Sequence, residues 1–108
     1  MTDSIPPAAP RHKSALRKPL ARFVGVMEYR LRQHDDDRGR RGWSKDSAFD
    51  LVRRLKEELL ELEAGLIGDA AFVGEYVERI ENEAADVANF AMMIADVTRL
   101  GATRRPNG

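Results

Sequence analysis

Residues 47–68 read SAFDLVRRLKEELLELEAGLIG. Within them Ala48, Leu51, Val52, Leu55, Leu59, Leu62 and Leu66 recur at the spacing of one helical face, and Ser47 with Asp50 three residues on forms a plausible N-cap pair. The stretch therefore reads as an amphipathic helix running from Ser47 to about Ile67 and ended by Gly68. Working outward, Leu20, Phe23, Val24, Met27 and Leu31 give a first helix over about 18–33, with Pro19 suited to its first turn. The intervening HDDDRGRRGWS, residues 34–44, holds two glycines, dense charge and no apolar period, and is expected to be an exposed loop. Beyond Gly68, Asp69 can cap a third helix. Its stripe runs from Ala71 through Val73, Tyr76, Val77, Ile80, Ala84, Val87, Ala91 and Ile94 almost to Gly101, with Gly74 as a possible break. No β-type alternation occurs. The expected fold is all-α.

The chain has 108 residues, enough for one domain and too few for two. Residues 1–17 and 101–108 are expected to be flexible tails around a domain at 18–100. With no cysteine there is no disulfide, thiolate metal site or cysteine nucleophile, and a reducing cytoplasm fits. Neither a membrane span nor a secretory signal is present in the sequence. The net charge of zero argues against nucleic-acid binding as the main activity. That zero conceals a polarity: residues 1–56 carry fourteen Lys/Arg against seven Asp/Glu, whereas residues 57–86 carry ten Asp/Glu and only Arg79 as a cation. The segment VANFAMMIA, residues 87–95, is apolar nearly all round, which predicts burial against a second copy in a homodimer or homotetramer.

The acids are not spread evenly around their helices. Relative to the apolar stripe of the second helix, Glu58 lies about 60° and Glu61 about 120° to one side on a 100° wheel, and relative to Ile80 in the third helix Glu83 and Asp86 lie about 60° and 120° to the corresponding side. Antiparallel packing through the stripes then brings both i, i+3 pairs to one edge. Four carboxylates there cannot all stay ionised without protonation, cationic side chains or bound metal. All-oxygen donors select Mg²⁺ or Mn²⁺, which recruit phosphate oxygens to complete their shells. Glu57 faces away from the stripe and Glu63 lies on its opposite flank. The competing reading is a non-catalytic helical dimerisation module whose acids are a solvated face.

The strings Glu57-Glu58-Leu-Leu-Glu61 and Glu83-Ala-Ala-Asp86 resemble the EExxE and ExxD motifs of the MazG-like all-α nucleotide pyrophosphohydrolases. The likeness spans about residues 20–100, and FVGVMEYRLRQH, GW and EAADVANFAMMIAD look most like the short phage and bacterial branch acting on deoxypurine triphosphates. That branch has a His-Lys-Gly-Gly-Trp loop, where this chain has His34-Asp-Asp-Asp37 and then Arg38, Arg40, Arg41 and Trp43. The resemblance implies a helical bundle completed by oligomerisation and hydrolysis of a (deoxy)nucleoside triphosphate to monophosphate and pyrophosphate. It implies a purine base (dGTP or GTP first, dATP second). Glu58, Glu61, Glu83 and Asp86 would be ligands, and Glu57 an outer ligand or a base that orients water.

Around the acids, Trp43 is read either as a base contact or as a loop anchor in the core, and Phe90 as oligomer core or a stacking surface. Asn89 can present a donor and an acceptor to a base edge or bond across an interface. Arg41, Lys56 and Arg79 stand with Arg38, Arg40, Arg53 and Arg54 as candidate phosphate contacts. Asp35-Asp36-Asp37 is not an EF-hand, since Arg40 and Asp46 occupy the positions that need glycine and glutamate.

Overall fold

The structure is a computed structural model that describes residues 15–38, 42–68 and 73–104. It is all-α: α1 spans Lys18–Arg38, a 3₁₀ turn Gly42–Lys45, α2 Ala48–Ile67 and α3 Val73–Arg104. Among the described residues there is no strand, and no helix is long and apolar enough to cross a membrane. Arg40, Arg41, Asp69 and the outermost stretches 1–14 and 105–108 lie outside the described residues.

α2 begins and ends where its sequence signals stand. The Ser47 hydroxyl accepts the Asp50 amide at 3.1 Å, and the Gly68 amide closes the last turn on the Ala64 carbonyl at 3.1 Å. α1 continues one turn further than expected, through His34-Asp-Asp-Asp37 to Arg38. Those residues lack an apolar period, but no glycine or proline interrupts the helix before Gly39, so it propagates. Gly74 does not break α3, which at 32 residues extends for about 48 Å and runs past Gly101.

This long helix is the centre of the fold: α1, α2 and the 3₁₀ turn all pack against it. The core is small. Leu51 of α2 is fully buried, with Phe90 and Met93 of α3 beside it and Leu31, Trp43, Leu55, Met92, Ile94 and Val97 packed around them. Three elements of the same chain pack along α3, so part of the segment 87–95 is buried without a second copy, while Val87, Ala88, Met92 and Ile94 are half-buried. Within it Asn89, Phe90 and Met93 are buried, and only Ala91 and Ala95 are exposed. The uncovered apolar surface lies instead on α2, where Phe49, Val52, Leu59, Leu60, Leu66 and Ile67 face outward.

A core of this size concentrates stability in few side chains. Replacing the fully buried Leu51 by Ala is expected to cost about 2–5 kcal/mol, from lost transfer energy plus the cavity left behind. Urea denaturation of the two proteins measures it, and a loss below about 0.5 kcal/mol would contradict the packing described.

Candidate functional site

A cleft of about 280 Å³ opens where α1, the 3₁₀ turn, α2 and α3 meet. Its walls combine two chemistries. Trp43, Phe90, Leu31 and Met93 supply apolar surface, while Arg30, Arg54, Glu58, Asp86, Asn89, His34 and Asp35 supply polar groups. The prolonged end of α1 is what brings His34 and Asp35 to this rim.

Glu58 of α2 and Asp86 of α3 both line the cleft, as the helical phases predict. Burial, then contact with the Glu61 carboxyl and the negative charges of Glu61 and Asp86, push the Glu58 carboxyl up to about 7, against the opposing pull of Arg54. Glu83 lies along the same seam against Gly65, so close that a Cβ added at Gly65 would collide with Glu83 Oε1. That oxygen is buried with no hydrogen-bond partner. Gly65 thus leaves room for the carboxylate, a need that the apolar pattern of α2 does not reveal.

Arg30 of α1 alters the expected four-acid arrangement. Its Nε and Nη2 donate to the two Asp86 oxygens at 2.9 and 2.8 Å, a part-buried bidentate ion pair. The Asp86 bond, above all, holds the Arg30 pKa above its ordinary value despite the opposing cost of burial. Charge compensation at Asp86 therefore comes from a cationic side chain. Among the described residues no three His, Asp or Glu side chains are placed to hold a metal ion together. The signal for Arg30 was available: with Met27 as reference, its angular position is about 60° from the α1 stripe, on the packed flank.

The aromatic residues have internal roles. The Trp43 indole N–H donates to Asp96 at 2.9 Å and its ring packs on the core, so the anchoring reading holds while one surface still lines the cleft. Phe90 is buried within its own chain, with the Arg54 guanidinium 4.9 Å from its ring centre. Asn89 is only 3% exposed; its amide N–H donates to the Met27 carbonyl at 3.1 Å, which fixes the amide orientation, and its Oδ1 is left unpartnered.

Other expected site residues are elsewhere. Glu57 is exposed on the outward side of α2, and Lys56 is exposed on the flank away from Glu58. Arg79 donates to the Gly65 carbonyl at 3.1 Å and stacks over Tyr76, so it fastens the end of α2 outside the cleft. Arg41 lies outside the described residues.

The raised Glu58 carboxyl fixes a pH dependence. The unfolded chain releases this proton near an ordinary pKa of about 4.3, whereas the folded chain keeps it up to about 7. Between those limits the folded state binds more protons, so its stability falls as pH rises through the window and levels off above it. In metal-free protein Glu58→Gln is expected to flatten that fall, and denaturation midpoints across pH 4–8 measure it; an unchanged slope would contradict the crowding of acids around Glu58. Gly65→Ala is expected to turn the flexible end of Glu83 out of the seam, and an unchanged Glu83 position in a structure of that variant would contradict the contact. Comparison of the chain with protein-family models, curated proteins and solved structures found no match, so the chemistry of these residues alone carries the functional reading.

Proposed function

We propose that the cleft binds a (deoxy)nucleoside triphosphate and that the chain hydrolyses it to the monophosphate and pyrophosphate with Mg²⁺ or Mn²⁺. The observation that carries this reading is the Glu58 carboxyl, crowded by Glu61 and Asp86 at the edge of an aromatic-walled cleft. A perturbed acid in a concave site with apolar walls fits a small ligand of mixed chemistry better than a solvated helix surface. The donor set suits a hard divalent cation: it is all oxygen, it carries excess negative charge, and Glu83 contributes a buried oxygen that lacks a partner.

Glu58, Glu61, Glu83 and Asp86 would hold the cation. When bound, it would neutralise phosphate charge and lower the pKa of a water for in-line attack on phosphorus. The remaining work falls to the chain. Arg30, released from Asp86, stays within the same cleft and can donate to phosphate oxygens with the same bidentate fork. Arg54 offers a second cation over the Phe90 ring. Trp43, half-buried in the cleft wall, offers stacking surface to a base; Phe90 is 9% exposed and would add only the part of its ring that lines the cleft, and the unpartnered Asn89 side-chain oxygen would be an acceptor for a base N–H. Every base carries such an N–H, so the purine preference, dGTP or GTP before dATP, rests on the sequence resemblance. Glu57 faces outward, so its part would be limited to orienting water from outside the ligand set.

A non-catalytic dimerisation module remains the second reading, favoured by the apolar outer face of α2. Incubation with each (d)NTP and Mg²⁺ or Mn²⁺ separates the two. Monophosphate plus pyrophosphate is the expected product pair; diphosphate plus phosphate would reject this mechanism, and no turnover would favour the module. Glu58→Gln, Glu61→Gln, Glu83→Gln and Asp86→Asn should each abolish turnover with helicity retained, while Glu75→Gln and Glu78→Gln should leave it unchanged. Full activity in both Glu58→Gln and Asp86→Asn would end the proposal.

A further inference from the structure

Two side-chain oxygens are buried without a hydrogen-bond partner among the described residues, Glu83 Oε1 and Asn89 Oδ1. The first lies on the carboxylate seam. The second belongs to the cleft wall, on a side chain that is only 3% exposed and stands in α3 one turn beyond Asp86, next to Phe90. An amide oxygen left bare in such a place costs stability unless something supplies a donor. Nothing within the described fold does.

Asn89 is not free to offer a ligand its other end. Its Nδ2 donates to the Met27 carbonyl of α1 at 3.1 Å, so the amide is held one way round and the oxygen is the group left over. The neighbouring indole is spent in the same manner, since Trp43 Nε1 donates to Asp96 at 2.9 Å. The cations are committed as well, Arg30 to Asp86 and Arg54 to the Phe90 ring, from where its charge also acts on Glu58. Between Trp43 and Asn89, the aromatic end of the cleft therefore presents an acceptor and no spare donor.

A buried acceptor selects by reach as well as by polarity. The ring N–H of a base is recessed between its ring neighbours, and in uracil, thymine and hypoxanthine it stands beside a carbonyl oxygen that would be brought against Asn89 Oδ1 or left without a donor. An exocyclic amino group projects beyond the ring and brings donors alone. Resting on the nucleotide reading proposed above, we infer that Asn89 is a specificity-determining residue whose side-chain oxygen accepts from the exocyclic amino group of the base. The cleft thus takes amino-bearing bases and discriminates against those that carry only oxygen. This separates adenine, guanine and cytosine from uracil, thymine and hypoxanthine, a division that cuts across purine and pyrimidine.

The test compares purines that differ at the amino group. Calorimetry with Mg²⁺ follows equilibrium binding of the α,β-methylene analogues of dATP, dGTP and dITP, which resist cleavage between the α and β phosphorus atoms. The hypoxanthine of dITP is guanine without its 2-amino group, and adenine with oxygen in place of its 6-amino group. The unaltered chain should bind the dITP analogue about fivefold or more weakly than the tighter of the other two. In Asn89→Leu, which is close in volume and has no acceptor, that ratio should fall to about one. This variant also gives up the Met27 bond, so circular dichroism checks its helices, and the nucleotide series on the unaltered chain decides the matter even if the variant does not fold. Equal binding of all three analogues by the unaltered chain, or a ratio retained in folded Asn89→Leu, would overturn the inference and leave the nucleotide reading standing. No binding of any analogue would overturn both.

Discussion

Leu51 can leave water with Phe90 and Met93 only if α2 lies along α3, and that contact draws Glu58 and Glu61 toward Asp86. Hydrophobic burial on one side of the seam is thus coupled to electrostatic crowding on its edge. The rest of the chain answers that crowding. α1 delivers Arg30 to Asp86, Gly65 leaves space for Glu83, and Glu58 retains its proton to higher pH. A single-chain core this small leaves little to spare for such costs, since native stability is a narrow difference between large terms.

The two faces of α2 divide its labour. One flank turns carboxylates toward a cleft shared with α1 and α3, and the other presents apolar side chains that no described residue covers. A helix that is apolar on more than its core-facing stripe is stable in water when something else buries the surplus.

Much of this was legible in the sequence. The apolar periods and the Ser47 cap locate α2, and the shared phase of Glu58, Glu61, Glu83 and Asp86 predicts that they lie along one seam. The end of α1 was not legible, because His34 to Arg38 carry neither a period nor a breaker and only continuation of the backbone hydrogen bonds decides them. Nor was the burial of Asn89, Phe90 and Met93 within one chain, since an apolar helix segment looks the same whether its own chain or a partner covers it. Arg30 was legible only by its phase on α1, because the acidic pattern of α2 and α3 does not say which cation packs against Asp86.

Arg30 is also where the central claim is most exposed. If the carboxylate edge is a divalent-cation site held in waiting by this guanidinium, removing the charge should free Asp86 for the cation. Titration of Mn²⁺ into nucleotide-free protein, read by calorimetry, addresses this directly in the unaltered chain and in Arg30→Gln. Binding that is tighter in Arg30→Gln and is lost in Glu58→Gln is the result this account predicts. Absence of Mn²⁺ binding in both the unaltered chain and Arg30→Gln would contradict it.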